Sequence, residues 1–520
     1  MEALAPYRRT CILGLTLVLL NNGAAAALIH RPPLSIESHS IGGHTYSISR
    51  MDAATNGLPA QVDYHHVYEA GTAQGWTSSP NGRGTIDIIY SSCITILLCS
   101  WTALCINVGR PQWGSWRILH QKNCMACLGL IGPEFIFQLA LGQWSSARRS
   151  VEEFKSSGYT DWTLTHAFLA DMGGFMLHTR DWVPFPLNAK QVHYLVVGGY
   201  VPYTQVHIDI RHIEDKNKGG GMVRLITVWQ ISWYTISTIG RVVQHLAITT
   251  LELVALGFIV CTLGTYYFWT HKPMDVGQPI VICPAATLDE ILRNAGDCAK
   301  QPYRQTPLDF VAQEPYTWRL YWMWWMGLLR GLGINFATKK RPNDKIPDDY
   351  FHAITGPKLL LLFISQISYV AVHVSGWNIY FPTQIERLLW HISTLLIVGS
   401  VLCYWLVEIL MWQLLPLIHW RSPRQPARSR STYPAIAKKR YPWTTVRSKL
   451  RNVCASVIND TPDHDPEFYV PLRALMPITM AGFFYCTARA YIVVESFANL
   501  RSLPPSAYLS VNWSSFFPHF

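Results

Sequence analysis

Long apolar runs, separated by polar, basic and proline-rich segments, are the dominant pattern of this sequence. A helix needs about 20 mainly apolar residues to cross the hydrocarbon core of a membrane. Runs of this kind form six candidate spans, at residues 86–108, 124–144, 247–269, 358–377, 388–415 and 469–494. The pattern therefore predicts an all-α fold, that of a polytopic transmembrane helical protein.

The run at residues 247–269 is the clearest span, and polar side chains recur along one side of it. Arg241, His245, Thr249 and Glu252 fall at helical spacing if the helix is continuous. Ionisable side chains at membrane depth are costly and usually face a bundle interior or a wet cavity. We therefore expect this side of the helix to pack against other helices.

The run at residues 124–144 is less regular, because Pro133 and Glu134 lie in its middle. Proline removes a backbone hydrogen-bond donor and kinks or ends a helix. The segment is therefore predicted either to cross the membrane or to form a re-entrant or interfacial element, which is tolerated where protein surrounds it.

Two further segments predict amphipathic helices that lie along the membrane interface. Residues 222–239 are apolar but contain Arg224, which predicts an interfacial or half-buried helix. Residues 317–334 combine four tryptophans with two arginines, which is typical of an interfacial helix. A tryptophan-rich ligand wall is the alternative for the second segment.

The N-terminus has the three parts of a secretory signal peptide, predicted to cover residues 1–27. Arg8 and Arg9 precede an apolar stretch, and small residues follow it as a cleavage site. An uncleaved first helix is the alternative. Residues 28–85 are polar and are expected to form a lumenal segment.

Composition and charge agree with a membrane protein. Charged residues make up 14% of the 520 residues, whereas about 25% is usual in soluble domains. The formal net charge is +11, and membrane proteins concentrate Lys and Arg in their cytoplasmic loops. This bias accounts for the positive charge, so we expect the lipid bilayer, and no nucleic acid, as a partner.

The same bias predicts the orientation. The basic segment 416–468 is expected in the cytoplasm together with residues 270–357, and residues 145–246 in the lumen if 124–144 crosses. If 124–144 is re-entrant, everything before the central helix changes side. The tail 495–520 is lumenal in either case, so the sequon at Asn512 is a predicted glycosylation site of an endomembrane or plasma-membrane protein.

The two acids in apolar runs, Glu134 and Glu252, are the candidate catalytic residues. A carboxylic acid in an apolar site can stay protonated and act as a general acid. Glu252 would be that acid and His245 its partner, with Glu134 as a second acid at membrane depth.

A cluster of possible metal ligands lies at His207, Asp209, His212 and Asp215. Imidazole and carboxylate groups bind divalent cations, so this cluster predicts a Mg²⁺ site that could position a diphosphate. The alternative is a solvated charged turn. No P-loop, GxGxxG, HExxH or GxSxG motif is present in the sequence.

Several short motifs resemble a large family of polytopic fungal membrane proteins, mostly uncharacterised. They are Gly75-Trp76, Arg83-Gly84-Thr85, CSWTALCINV, Pro133-Glu134, HAFLADMGGF, EDKNKGG and LELVALGFIVCTLGTYYFWTHKPMDV. The resemblance covers about half of the chain. It implies a membrane compartment and a polytopic architecture, and some such proteins are encoded near secondary-metabolite genes.

Three functions follow as hypotheses. The first is a membrane-embedded enzyme that converts a lipophilic small molecule, such as an isoprenoid or polyketide, in secondary metabolism. The second is a transporter in which the same ionisable residues form a proton relay or a gate. The third is a non-catalytic receptor or scaffold, in which these residues only join helices.

Overall fold

The computed structural model describes most of the helical part of the chain. The described residues are 37–41, 44–48, 75–79, 82–109, 114–209, 218–274, 276, 278–300, 303, 305–312, 342–348, 354, 356–410 and 472–513. The predicted signal peptide, the tryptophan-rich segment 317–334 and the basic segment 416–468 lie outside these residues.

Helices dominate the described residues. They are α1 Thr85–Thr102, α2 Ser115–Ile131, α3 Pro133–Ser156, α4 Leu164–Asp171, α5 Ala189–Val197, α6 Tyr203–Val206, α7 Lys218–Val243, α8 Thr250–Phe268, α9 Leu288–Ala295, α10 Pro357–Ser375, α11 Gln384–Glu408 and α12 Leu472–Ala498. Among them α1, α8, α10, α11 and α12 are long and apolar enough to cross a membrane. The expectation of a mainly helical chain with several such helices is confirmed.

The expectation of an all-α fold is wrong in one respect, because short strands are also present. They are β1 Glu37–Ile41, β2 His44–Ile48, β3 Phe175–Leu177, β4 Phe185–Leu187 and β5 Ile280–Ile282. Strands β1 and β2 pair with each other, and the second sheet has the order β4-β3-β5. Strand β3 is antiparallel to β4 and parallel to β5. Strand β5 is a β-branched Ile-Val-Ile run, a composition that favours a strand.

Helix α8 lies at the centre of a bundle and packs against α1, α3, α10 and α12. We name the two ends of this bundle the Glu252 end and the Lys272 end, after residues near either end of α8. Helix α1 starts at the Glu252 end, where Arg83 contacts Glu252. It finishes at the Lys272 end, where the Lys272 Nζ donates to the Cys105 carbonyl at 2.8 Å.

Helix α7, predicted from the sequence as an interfacial or half-buried helix, reaches from one end of the bundle to the other. Arg224, near its start, donates to the Trp269 carbonyl at 3.4 Å, at the Lys272 end. Arg241, near its end, donates to the carbonyls of Leu509 at 2.8 Å and Ala507 at 3.0 Å, at the Glu252 end. Helix α7 is therefore antiparallel to α1 and α8.

Helices α7 and α8 are separate, so the predicted continuous helix through Arg241 and Glu252 is wrong. The chain turns at His245, which has a left-handed φ of 55°. Thr249 then caps α8, because its side chain accepts from the Glu252 N–H and the Glu252 carboxylate accepts from the Thr249 N–H. This reciprocal capping box starts a new helix at this point.

Helices α2 and α3 form a sharply bent hairpin in place of one straight helix at 124–144. The helix axis turns by 114° at their junction. Gly132 is needed there, because an added Cβ would lie 2.6 Å from the Phe135 ring. Both arms are anchored at the Lys272 end, where Gln121 of α2 accepts from Lys345 at 2.7 Å and Gln143 of α3 accepts from Lys272 at 2.8 Å. We call residues 131–134 the hairpin tip.

The last three long helices alternate between the two ends. Lys358, at the start of α10, donates to the Ser145 hydroxyl of α3 at 2.8 Å, at the Lys272 end. Helix α11 starts at the opposite end, where Glu386 pairs with Arg501 just after α12. Helices α11 and α12 are packed side by side. The end of α11 and the start of α12 therefore both lie at the Lys272 end.

A small sheet subdomain, residues 157–209 and 278–312, continues from the Lys272 end. Helices α4 and α5 pack on α3, and the Trp162 ring stacks on Phe154 of α3 with centroids 4.1 Å apart. Strand β3 joins β5, which follows α8 in the chain. The subdomain is thus attached to both the hairpin and the central helix.

Candidate functional site

Ionisable side chains from three helices meet at the hairpin tip. Glu134 lies in the first turn of α3, His373 near the end of α10 and Arg489 in α12, and none is more than 4% exposed. The break between α2 and α3 brings Glu134 into the bundle, at a helix N-terminus where a negative charge is favourable. We call these residues, with Tyr485, the tip cluster.

Hydrogen bonds connect the tip cluster to the ends of both hairpin helices. Tyr485 donates its hydroxyl proton to the Glu134 Oε1. Arg489 Nε donates to the Ile131 carbonyl, the last of α2, at 3.2 Å, and its Nη1 donates to the His373 Nε2 at 2.7 Å. His373 Nδ1 lies 3.0 Å from the Tyr369 carbonyl. His373 is therefore assigned as the neutral tautomer with its proton on Nδ1.

Aromatic rings and one glycine complete the surroundings of Arg489. The guanidinium carbon lies 5.4 Å from the ring centroid of Phe258 and 5.2 Å from that of Tyr369, within cation–π range. Gly257 lets α8 and α10 approach closely, because an added Cβ would be 3.2 Å from atoms of both His373 and Tyr369. A larger residue at position 257 would push the two helices apart.

The tip cluster keeps unused hydrogen-bonding capacity. The Glu134 Oε2 and the Arg489 Nη2 are buried and have no hydrogen-bond partner among the described residues. A separate void of about 10 Å³ is lined by Pro133, Phe258 and Thr262, among others, and by none of the four residues of the tip cluster; it has room for about one water molecule. The unpaired carboxylate oxygen of Glu134 suits the binding of a proton, and the void does not fit an isoprenoid or a polyketide.

Glu252 is held in a different way, by two guanidinium groups. Its Oε1 contacts the Arg83 Nη2 and lies 3.8 Å from the Arg241 Nε. Its Oε2 accepts from the Thr249 N–H at 2.8 Å and from the Thr249 hydroxyl at 2.9 Å. An ionised carboxylate with both oxygens bonded is poorly suited to donate a proton, so the geometry favours a structural role over the predicted general acid.

The predicted pairing of His245 with Glu252 does not occur. His245 is exposed in the turn between α7 and α8, and the hydrogen bonds and ion pairs of Glu252 involve Arg83, Arg241 and Thr249. The pairing was expected from helical spacing, which the turn interrupts.

Lys272 is a buried cation that the sequence indicated only as a charged flank of the span. It is 1% exposed, and its Nζ donates to Cys105 O and Gln143 Oε1 at 2.8 Å and to Asn107 Oδ1 at 3.4 Å. Burial lowers its pKa to about 8, so the ammonium form still predominates at neutral pH. Lys272 therefore ties the returning arm of the hairpin to the residues after α1.

The predicted metal ligands are only partly described. His207 and Asp209 are exposed in the sheet subdomain, and the His207 ring stacks on His166 with centroids 5.3 Å apart. His212 and Asp215 lie outside the described residues. Within the described part of the chain, no group of three or more His, Cys, Asp or Glu side chains could hold a metal ion, so the Mg²⁺ site stays a prediction.

The predicted glycosylation site lies at the Glu252 end. Asn512 is exposed, and its backbone forms a reciprocal pair with the Gln244 side chain. The Asn512 N–H donates to Gln244 Oε1 at 3.0 Å, and the Gln244 Nε2 donates to the Asn512 carbonyl at 2.8 Å.

The model of one protein family matches the chain, over residues 64–300 and 472–520. It is described as a family of unknown function, DUF8562. The matched residues contain Glu134, Glu252 and Arg489, whereas His373 lies outside them. Neither the curated proteins nor the solved structures contain a match.

Proposed function

The chain belongs to the DUF8562 family of unknown function, and from the geometry of its hairpin tip we propose that it is a proton-coupled transporter with several membrane spans. The observation that carries the proposal is a buried carboxylate with one unpaired oxygen, at a helix break within a bundle of apolar helices. Broken helices whose ends face a site near the middle of the membrane are typical of secondary transporters.

Six helices would cross the membrane in this proposal, namely α1, α7, α8, α10, α11 and α12. Helix α7 is included because it reaches both ends of the bundle and exposes large apolar side chains, among them Leu225, Trp229 and Trp233. The hairpin enters from the Lys272 end and returns to it. Gly132, Pro133 and Glu134 at its break are buried in the bundle, the condition under which irregular backbone is tolerated at membrane depth, whereas Ile131 is 45% exposed.

The orientation follows from the basic segment 416–468. It lies between α11 and α12 in the sequence, and its excess of Lys and Arg favours a cytoplasmic position for the Lys272 end, where α11 ends and α12 begins. The sheet subdomain, together with Arg148 and Arg149, then becomes cytoplasmic. The lumenal position of residues 145–246 was predicted only if 124–144 crosses, and in this proposal α7 crosses and 124–144 does not.

Glycosylation tests this orientation. In a eukaryotic host, the full chain should carry one endoglycosidase-sensitive glycan, because Asn512 lies at the lumenal end. Asn512→Gln should abolish the mobility shift on a denaturing gel. Asn459→Gln is the matched control, since the sequon at Asn459 falls in the cytoplasmic basic segment. A glycan that depends on Asn459 would reverse the orientation.

Glu134 is proposed as the residue that binds and releases the transported proton. When ionised, it attracts Arg489 and accepts from Tyr485, and both of these side chains belong to α12. Arg489 also holds the end of α2 through the Ile131 carbonyl. Protonation of Glu134 removes its charge, which weakens the hold of α12 on the hairpin tip. The hairpin can then move and open the site toward the Lys272 end.

The test is a flux measurement in proteoliposomes. A defined mixture of amino acids, organic acids, sugars and short isoprenoid alcohols is offered outside, with and without an inward proton gradient, and uptake is quantified by mass spectrometry. At least one compound should accumulate with the gradient. Glu134→Gln should lose this gradient dependence, because an amide neither binds nor releases the proton.

The matched control is Glu495→Gln, which changes another buried carboxylate of the same bundle. Glu495 is 4% exposed, accepts from Tyr491 on the same helix at 3.2 Å and, like Glu134, keeps one oxygen without a partner. It lies near the end of α12 and not at the break between α2 and α3, so its loss should leave the flux unchanged. Equal flux in wild type and Glu134→Gln would contradict the role of Glu134. Uptake no faster than in protein-free liposomes would contradict transport of these compounds.

The enzyme predicted from the sequence gains less support from this geometry, because Glu252 is ion-paired and the void beside Pro133 holds about one water molecule. Its isoprenoid or polyketide substrate, the fungal source and the link to secondary metabolism stay predictions. Isoprenoid alcohols are therefore kept in the transport mixture.

A further inference from the structure

A cleft of about 580 Å³ opens in the sheet subdomain, away from the tip cluster. This volume is within the range of sites for small organic ligands, roughly 300–1,000 Å³. Its polar lining includes His178, Arg180, Tyr200, Gln205 and Cys283. None of these residues takes part in the transport mechanism proposed above.

The cleft lies where two parallel strands end. Strands β3 and β5 pair in parallel, with Leu177 opposite Ile282. The pairing continues for one more hydrogen bond, because the His178 N–H donates to the Ile282 carbonyl at 2.9 Å. His178 and Cys283 therefore follow directly on neighbouring strand ends. In open α/β sheets, ligands bind in the crevice outside the carboxyl ends of the strands.

The lining of the cleft favours an anion. Arg180 supplies a guanidinium, and the lining residues include no Asp or Glu. The neighbouring acid, Asp181, is occupied by the start of α9, where it accepts from the N–H groups of Leu288 at 2.9 Å and Asp289 at 3.0 Å. These hydrogen bonds lower the pKa of Asp181. Its carboxylate is therefore already bound by the start of α9 and is not part of the lining of the cleft.

Tyr200 gives the cleft an aromatic wall. Gly199 precedes it with a left-handed φ of 71°, a conformation that favours glycine. The Tyr200 hydroxyl accepts from the Asn294 amide at 3.1 Å, which ties the ring to α9. A ring held in this way offers a flat surface to the organic part of a ligand.

We propose that this cleft binds an organic phosphate of about nucleotide size. Arg180 and His178 bind the phosphate, and Tyr200 contacts the organic part. Guanidinium groups match the geometry of phosphate oxygens, and an inorganic phosphate alone would leave most of the cleft empty. The site is independent of the proposed transport and would remain if that proposal failed.

The experiment measures protection of a thiol in the full chain, purified in a neutral detergent. Cys283 is an exposed free thiol in the cleft, and Cys298 is an exposed free thiol of the same subdomain that does not line it. Alkylation of both by a maleimide is followed by mass spectrometry, with and without ATP. At several times its dissociation constant, ATP should slow the labelling of Cys283 by about fivefold or more, by mass action, and leave Cys298 unchanged.

Two arginine variants make the assignment specific. Arg180→Gln should remove the protection of Cys283. Arg293→Gln is the matched control, because Arg293 is an exposed arginine of α9 that pairs with Asp289 at 2.6 Å and does not line the cleft. Wild-type protection that persists unchanged in Arg180→Gln would overturn the proposal.

A second arm separates a soluble ligand from a lipid headgroup. Phosphatidic acid in mixed micelles is offered in place of ATP, with phosphatidylcholine micelles as the comparison. Protection by phosphatidic acid alone, lost in Arg180→Gln, would support the phosphate site and assign it to the membrane surface. Unchanged labelling of Cys283 with both ATP and phosphatidic acid would overturn the proposal.

Discussion

Replacing Glu252 by leucine is expected to lower the free energy of unfolding by about 3–5 kcal/mol, the usual cost of breaking a buried ion pair. The side chains of Glu252, Arg241 and Arg83 are 3%, 4% and 16% exposed. Without the carboxylate, two guanidinium groups lose the buried ion-pair partner that they share. Thermal and chemical unfolding of the purified chain in detergent would measure the loss.

An exposed ion pair provides the control for this prediction. Glu152→Leu removes the partner of Arg148, in a pair whose side chains are 69% and 56% exposed, so it should cost less than about 1 kcal/mol. Glu252→Gln should also be destabilised, because an amide cannot neutralise either arginine. If Glu252→Gln kept its stability but lost activity, the carboxylate would be a working acid after all.

Replacing Arg489 by methionine is expected to be about as costly, 3–5 kcal/mol. The change leaves Glu134 buried without a nearby positive charge, and it leaves the Ile131 carbonyl and His373 Nε2 without their donor. Arg501→Met is the control, because Arg501 is 51% exposed in its pair with Glu386, and exposed ion pairs contribute far less than buried ones. Chemical denaturation in detergent would compare the two variants.

A double variant shows whether Arg489 acts through Glu134. If the charges of Arg489 and Glu134 are coupled, Glu134→Gln with Arg489→Met should cost less than the sum of the single changes. Additive losses would mean that Arg489 stabilises the bundle through the Ile131 carbonyl and His373 alone.

The helical character of the chain was predictable because its apolar runs have the length of membrane-spanning helices. The sequence predicted that α7 is an interfacial or half-buried helix, because Arg224 interrupts its apolar residues. In the structure Arg224 reaches the Trp269 carbonyl and the Cys105 sulfur, so its polar group finds partners inside the bundle. A single sequence does not show such partners, and they decide whether a polar residue prevents a helix from crossing.

The candidate site was predictable only in part, and for a similar reason. Acids in apolar runs identified Glu134 and Glu252, because a carboxylate at such a position needs a partner. Their partners are distant in sequence: Arg83 precedes Glu252 by 169 residues, and Tyr485 follows Glu134 by 351. Local spacing suggested His245 in place of Arg83, and only the packing of α1 against α8 distinguishes the two.

The hairpin was half predictable. Pro133 indicated a break within 124–144, and a re-entrant segment was one of two alternatives. The sharp bend between α2 and α3 depends on the absence of a Cβ at Gly132 and on Arg489, which donates to the carbonyl at the end of α2. Both are tertiary contacts, and the pattern of apolar residues along the sequence does not reveal them.

The C-terminal tail places a limit on when the protein can be completed during synthesis. Arg241 donates to the carbonyls of Ala507 and Leu509, and Tyr508 donates to the Gly75 carbonyl, just before α1. Helices α1, α7 and α8 leave the ribosome long before these tail residues are made. The Glu252 end is therefore completed only after residues 507–509 have been synthesised, and until then each new molecule carries an unfinished surface there.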